Sequence, residues 1–503
     1  MRLQNNIWGR RGHWLTLLLY FAVTLPFFSQ GGFQKYLKLP GSLDAVAADV
    51  LEAPNGNFIV AGFSEEVIKN QLVNKLVIMA TDSTGGMLWI KKHGSLSIDY
   101  PDAWHYLFFC ADLNNFFLIC PVRDSVGAIA GSILKISYDG AILWEKKISD
   151  SSAKIYPMAM TRSVDNGFYV TGTFFPTSGG QPVFVSKLDA NGNELWRKVI
   201  HKGPPNVTDA KCIIQDTISK KLIICGYQFI GSSTYNSVLF LDSNANKIKQ
   251  VSYTNSCGGA TARMIQLQDG NFMIGTQIAV DCDNGIYKGV LYKFNHMGDL
   301  LWTYTHSNSG PGNGLEIVEE LENGSLVTVG YLDDSYNVHA QYIIISKEGK
   351  VVMKKNFGRS KSEMQNDWLR GGSVTRDGGY IRAIQLTYEP SPTPFYFVKL
   401  DSLGCDTTPE YCASQVVGLY EQGQQLSAEL FPNPCNSSLF IKLPVTGAAG
   451  NYVITAQSGV ALCRGSFNGA EASFNTTELA EGLYVIELSS GEGVLRRKFA
   501  VMR

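Results

Sequence analysis

One short pattern recurs along this chain at a nearly constant interval, and that recurrence constrains the fold more than any other feature. A turn of small polar residues followed by Leu-Trp and basic residues occurs as "DSTGGMLWIKK" at Trp89, "SYDGAILWEKK" at Trp144, "DANGNELWRKV" at Trp196 and "NHMGDLLWTYT" at Trp302. Degenerate copies, "DSNANKIKQVS" at Lys249 and "SKEGKVVMKKN" at Met353, fill the gaps, so successive copies lie 51 to 55 residues apart. A second motif keeps the same beat in seven copies, among them "APNGNFIVAGF", "SVDNGFYVTGT" and "LQDGNFMIGTQ". A period near 50 residues is the signature of stacked supersecondary units, either solenoids or propellers.

Each unit parses into four strands. In the first, "AVAADVLEA" turns through Asn55-Gly56 into "NFIVAGF", and "LVIMATD" turns through Gly85-Gly86 into "MLWIKKH". Gly and Asn sit where tight hairpins require positive φ. The first three strands are largely apolar, as expected when neighbouring units cover both faces. The outermost strand alternates, so Trp196 is expected to wedge against the next unit while Arg197 faces water. The composition agrees: Gly 50, Tyr 23 and Phe 26 with only 17% charged residues favour many short strands and tight turns.

The last unit is one strand short. After "GGYIRAIQL" and "FYFVKLDSLG" no Leu-Trp-Lys strand follows Gly404. The segment "GGFQKYLKL", Gly31 to Leu39, offers an aromatic-lysine strand ahead of the first inner strand. Pairing it into the last unit would leave no open sheet edge. The expected fold is therefore an all-β, seven-bladed β-propeller, closed by Phe33 to Leu39 and followed by a small β-sandwich.

The 53-residue blade resembles that of secreted propellers of the Bacteroidetes group. The "D-x-x-x-G-x-x-W" turn also resembles the tryptophan-docking repeat of pyrroloquinoline-quinone propellers. That family usually has eight blades, and the adjacent Cys-Cys pair that covers the quinone in some members is missing here. The resemblance implies shared packing rather than quinone chemistry, and no cofactor is expected.

The ends of the chain carry an address. Arg2, Arg10 and Arg11 precede the apolar run "WLTLLLYFAVTLPFF", followed by Ser29, Gln30 and Gly31. This reads as a signal peptide over residues 1–30, the run being shorter than the ~20 residues a spanning helix needs. No later segment is long and apolar enough to span a bilayer as a helix. At the other end, "LFPNPCNSSLFIKLP", "YVITAQSGVALCRGSF", "ASFNTTELAEGLYVIEL" and "GVLRRKFAVMR" are short alternating strands. They resemble the C-terminal sorting domain of type IX secretion cargo through Pro432-Asn433-Pro434, Gly459, Leu479, Gly482-Leu483-Tyr484 and Arg496-Arg497-Lys498. The resemblance implies a seven-stranded β-sandwich, the type IX secretion machinery as partner, and a secreted protein or one attached to the outer surface of the outer membrane. The expected domains are the propeller at 31–406, a linker at 407–428 and the sorting domain at 429–503.

Charge adds a negative constraint. With 43 basic and 44 acidic residues, long-range electrostatics favour neither nucleic acid nor an anionic membrane. In a propeller, the loops entering each inner strand and those joining second to third strands share one face. Here they are long, as in "HKGPPNVT", "AVDCDNGIY", "HSNSGPGN" and "YEPSPTP", whereas the opposite face has tight turns. The long-loop face is the expected binding face. Asp44, Asp102, Asp209 and Asp367 fall near inner-strand starts, where they either ring the channel mouth or cap local backbone amides, as Asp commonly does at such positions. Trp104, Tyr287, Trp368 and Tyr388 either stack on a sugar or peptide or pack between blades. No residue set points to catalysis or to a metal: the histidines are scattered singly and no nucleophile or zinc motif occurs.

Ten cysteines suit a disulfide-permissive compartment. Cys212 and Cys225 flank a hairpin turn, Cys257 and Cys282 share a face, and Cys405 and Cys412 bracket a short loop; Cys110 and Cys120 also flank a turn. Buried free thiols are the alternative. Cys435 and Cys463 lie outside the sorting pattern and either pair or are incidental. The expected function is recognition of protein, peptide or glycan through the long-loop face. An extracellular glycan hydrolase or lyase with cross-blade carboxylates, and a purely structural envelope role, are the alternatives.

Overall fold

In a computed structural model the described residues are 31–502, apart from 102–107, 178–179, 201–206, 231–232, 254–260, 282–285, 307–311, 322, 334–337, 358–367, 387–392, 403, 407–428, 443–448, 457–460, 470 and 491–492. Among them every regular element is a strand. The chain divides into two units, residues 1–417 and 418–503. The expected signal peptide and linker lie outside the described residues.

The larger unit is a succession of antiparallel sheets in which each strand pairs with the next in sequence. The first sheet runs Asp44–Glu52, Phe58–Ile68, Gln71–Thr81, Met87–His93. The third (Ala153–Arg162, Phe168–Pro176, Val183–Leu188, Glu194–Ile200), fourth (Val207–Gln215, Leu222–Ile230, Ser233–Leu241, Lys247–Ser252), fifth (Thr261–Gln266, Phe272–Asp281, Ile286–Phe294, Leu300–His306) and sixth (Gly312–Glu320, Leu326–Asp333, Val338–Ile345, Val351–Phe357) repeat this order. The second departs from it. Two short strands, Ile98–Asp99 and Phe108–Ala111, share the inner edge of Asn115–Asp124, which continues to Ile129–Ser137 and Ile142–Ile148. The seventh has Trp368–Val374, Tyr380–Gln385 and Phe395–Leu400, and its fourth strand is Phe33–Leu37, paired antiparallel with Phe395–Leu400 from Phe33↔Lys399 to Leu37↔Phe395.

The apolar residues of the inner three strands meet between sheets rather than in one common core. Sheets one and two share a cluster around Ile59, Ile78, Phe116 and Leu134. Clusters of the same kind join two to three, three to four, four to five, five to six and six to seven. A further cluster joins seven back to one through Phe395, Phe397, Val60 and Met79, with Phe33 and Leu37 packed against it.

The recurrent turn explains how the outer strands dock. The Asp189 carboxylate accepts hydrogen bonds from the Asn191 and Asn193 amides at 2.9 and 2.8 Å, and Asp82 and Asp242 do the same in their hairpins. Gly192 takes φ 79°, the left-handed region open to glycine. A side chain there would also collide with the Trp144 ring of the preceding sheet, 2.6 Å from the added Cβ, just as one at Gly140 would meet Trp89 at 2.7 Å. Trp89, Trp144 and Trp302 thus each lie over the glycine of the next outer hairpin, while the hairpin that follows Trp196 has Ala245 at that position, with φ 56°. In the seventh sheet the part falls to the N-terminal strand, since a Cβ at Gly85 would meet Lys35 at 2.7 Å and Phe33 at 2.8 Å. Trp196 packs into the cluster shared with the fourth sheet as expected. Arg197 does not simply face water: its side chain is 15% exposed and paired with Glu194 at 2.7 Å and Asp150 at 3.5 Å.

The smaller unit has a three-stranded sheet, Glu429–Phe431, Ser438–Lys442 and Glu471–Asn475, and a four-stranded sheet ordered Ala461–Asn468, Ala449–Ala456, Gly482–Ser490, Gly493–Val501. Its core holds Leu439, Ile454, Phe474, Ile486, Leu488 and Phe499.

Candidate functional site

Few of the residues singled out in the sequence can be placed. Asp102, Trp104, Asp367 and Tyr388 lie outside the described residues, as do Cys257, Cys282, Cys412 and Gly459; Asp209 and Trp368 are placed by backbone alone. Asp44 opens the first strand of the first sheet, where its Oδ1 accepts the Thr393 amide at 3.4 Å and the Thr393 hydroxyl at 3.3 Å. That is the capping use of an aspartate, extended to the seventh sheet. Tyr287 sits in the third strand of the fifth sheet opposite Ala279, half-buried and remote from Asp44 in the strand order.

Two cavities stand out. The first is a cleft of about 790 Å³ between the second and third sheets. It is bounded by the loop Gly127–Ile129, the inter-sheet loop at Asp150–Ser151, Lys154 and Tyr156 of the following inner strand, and Phe175–Thr177. These are second-to-third-strand loops and a strand-entry loop, hence the face expected to bind. The Tyr156 and Phe175 rings meet edge to face at 5.3 Å, and both are half-buried. Asp150 is held below the usual carboxylate range by the Ser152 hydroxyl and amide and by Arg197. The cleft therefore combines an aromatic floor with a fixed anion, a lysine and hydroxyl groups at its rim. Sequence reading missed it because Tyr156 and Phe175 occupy ordinary strand positions; an aromatic at a strand end beside a long loop was the available signal.

The second cavity, about 530 Å³, gathers the later halves of the first strands of several sheets: Asp49, Lys211, Cys212, Arg263, Glu319 and Ser373 are in its wall. Those strand halves run toward the tight hairpins, so this cavity belongs to the short-turn end. Arg263 is its centre. The guanidinium lies 3.8 Å from Asp49 and 3.8 Å from Glu319, and donates to the Gly372 carbonyl at 2.9 Å. One side chain of the fifth sheet thereby touches the first, sixth and seventh. Asp49 Oδ1 accepts its neighbour's amide, Val50 N, at 2.9 Å, and Glu319 Oε2 accepts Val374 N at 2.8 Å. Burial pushes the Glu319 carboxyl above its ordinary value, and Arg263 opposes the rise only in part.

Cys212 and Cys225 stand directly opposite each other in the first hairpin of the fourth sheet, as the flanking of the turn suggested, and both are free thiols. Cys405 is disulfide-bonded. Cys435 and Cys463 are free and belong to the core of the smaller unit. Among the described residues no group of three or more His, Cys, Asp or Glu is placed to hold a metal ion. No described helix is long and apolar enough to cross a membrane.

In the smaller unit, Pro432-Asn433-Pro434 works as a clamp on the last strand. Asn433 Oδ1 accepts the Ala500 amide at 2.8 Å, and Asn433 Nδ2 donates to the Lys498 carbonyl at 3.3 Å. Cys435 N then donates to Ala500 O at 2.8 Å and Met502 N to Cys435 O at 2.9 Å. Leu479 and Tyr484 are core residues, and the Tyr484 hydroxyl donates to the Ala480 carbonyl at 2.7 Å. Arg497 and Lys498 are exposed.

Comparison with solved structures shows a propeller-like fold. An ulvan lyase of polysaccharide lyase family PL25, bound to -[GlcA(1-4)Rha3S]-, aligns with a TM-score of 0.50 and 9% identity over 76% of this chain and 100% of its own. The WD40 domain of SCAP from fission yeast aligns with a TM-score of 0.35 and 11% identity over 75% of this chain and 99% of its own. No curated protein sequence matches the chain. The family model described as "Secretion system C-terminal sorting domain" matches residues 429–502. Residues 429–502 are thus a type IX sorting domain, and they mark the chain for secretion and attachment at the cell surface.

Proposed function

We propose that the larger unit is a closed ring of seven blades that recognises a glycan through the cleft between its second and third sheets. The unbroken series of inter-sheet clusters, ending in the one that joins the seventh sheet to the first, supports the ring. The boundaries that go with this reading are those expected from sequence, a propeller over 31–406 joined by 407–428 to the sorting domain, and the Cys405–Cys412 bridge fastens the exit of the last blade.

The observation that carries the ligand class is the pairing of Tyr156 and Phe175 beside Asp150 and Lys154 in a cleft of about 790 Å³ on the long-loop face. A saccharide presents apolar C–H faces and a belt of hydroxyls. An aromatic surface takes the former, and a fixed carboxylate, an ammonium and small hydroxyl side chains take the latter. A surface location supplied by the sorting domain puts such a site where extracellular polysaccharide is encountered.

The test is a glycan array followed by calorimetric titration, with peptide libraries in parallel, on the full mature chain. Tyr156→Ala and Phe175→Ala should each weaken glycan binding at least tenfold while leaving the unfolding temperature within a few degrees. Glycan binding indifferent to both changes, or peptide binding that depends on them, overturns the reading. A second reading, polysaccharide cleavage, has its candidate carboxylates in Asp49 and Glu319 beside Arg263. Depolymerisation of an extracellular polysaccharide that disappears in Asp49→Asn and Glu319→Gln would replace recognition by catalysis.

A further inference from the structure

We propose that Cys212 and Cys225 are a redox-active thiol pair, reached through the charged cavity and closed to a disulfide by exchange with a small-molecule or protein disulfide. The inference is independent of the glycan reading. Three observations carry it. The two residues are cross-strand partners, Cys212↔Cys225, on the same side of the sheet. Directly opposed residues of an antiparallel pair have Cα atoms about 4.5 to 5.5 Å apart, within the span a disulfide bridges. Access is also asymmetric: Cys212 is half-buried and lines the cavity of about 530 Å³, whereas Cys225 is 0% exposed. Finally, the cavity that Cys212 lines is polar and charged, its wall holding the cations Arg263 and Lys211 alongside the carboxylates of Asp49, Glu319 and Glu320.

The hydrogen bond from Cys225 and the nearby Arg263 guanidinium hold the Cys212 thiol below its ordinary range, while burial pushes that of Cys225 well above it. This assigns the order of events, since the thiolate is the nucleophile in exchange. Cys212 thiolate attacks one sulfur of the incoming disulfide, the external S–S bond breaks and one thiolate leaves. Cys225 then gives up its proton to solvent and attacks the Cys212 sulfur of the mixed disulfide, releasing the second thiolate. Two electrons pass from the pair to the external disulfide, which ends as two thiols. Cys120, wholly buried and without a cross-strand cysteine among the described residues, is an internal control.

The experiment uses the full mature chain, folded, exposed to oxidised glutathione, quenched in acid, alkylated with N-ethylmaleimide and mapped by mass spectrometry. The expected product is a linked pair of peptides containing Cys212 and Cys225, with Cys120 left as a thiol. Cys225→Ser should accumulate one glutathione on Cys212, whereas Cys212→Ser should carry none on Cys225. Recovery of both cysteines as alkylated thiols in the folded parent overturns the proposal. So does glutathione on Cys225 of the Cys212→Ser protein at a level equal to that on Cys212 of the other variant.

Discussion

Replacing Arg263 by Met keeps the length of the side chain and removes its charge from between Asp49 and Glu319. Each ion pair at 3.8 Å is worth a gross ~4 kcal/mol at an effective dielectric near 20. Most of that is spent on desolvation, so the net loss is better gauged from buried pairs broken on one side, about 3–5 kcal/mol. The arginine side chain keeps 25% exposure, which places the expected loss near the lower end, about 3 kcal/mol. The pH dependence separates this cause from simple repacking. Glu319 already titrates above its ordinary value of 4.5 in the folded protein, because its charged form is buried. A carboxyl whose folded pKa exceeds its unfolded one favours the folded state at low pH and loses that advantage as pH rises from the unfolded value through the folded one. Without Arg263 the folded value rises further. The part of the deficit that comes from Glu319 should therefore be smaller near pH 4.5 than at pH 7.5. Urea unfolding followed by tryptophan fluorescence at the two pH values measures it. A deficit below about 1 kcal/mol, or one equal at both pH values, would refute the electrostatic account.

The buried pair Lys399 and Asp377, 2.9 Å apart in the seventh sheet with side chains 0% and 6% exposed, should respond to Asp377→Ala with a loss of about 3 kcal/mol in the same assay. Burial works to raise the Asp377 pKa, but the Thr375 hydroxyl and Lys399 hold it below 3.8. Its contribution is thus present above that value and disappears as the parent protein is acidified through the lower folded one, so the variant's deficit should shrink there. In the sorting domain, Asn433→Ala removes both side-chain bonds to the terminal strand and should cost about 1–2 kcal/mol. Hydrogen exchange at the Ala500 amide should rise more than at Ile454, and secretion of a reporter fused to this domain should fall.

What sequence revealed was whatever repeats or is missing from a repeat. Spacing exposed the repeated Trp and its packing against the next sheet, but that Trp144 rests on Gly192, 48 positions further on, is visible only in the structure. The incomplete last unit exposed the role of Phe33 in the same way. The sorting domain was legible because its clamp is local in sequence at both ends: three consecutive residues hold one terminal strand. The charged cavity was not legible. Asp49, Arg263 and Glu319 come from sheets one, five and six, and nothing in "AADVL", "TARMIQ" or "EIVEE" announces that they converge. Asp44 illustrates the opposite limit: the repeat places it at the start of an inner strand, and only the structure shows its contacts with the Thr393 amide and hydroxyl.

The strand Phe33–Leu37 has a consequence in time as well as in space. It precedes every other described strand in the chain, and its partner Phe395–Leu400 follows some 360 residues later. Gln34 must also wait for Asp406, to which its amide donates at 2.8 Å, and for Tyr396, whose hydroxyl it accepts at 3.0 Å. Sheets one to six pair neighbours in sequence and can form as the chain appears, but this seam has the longest loop to close. Until it forms, the outer edge of Phe395–Leu400 is open and the hairpin at Gly85 lacks its cover. The seam is accordingly expected to close last in assembly and to open first in a finished molecule.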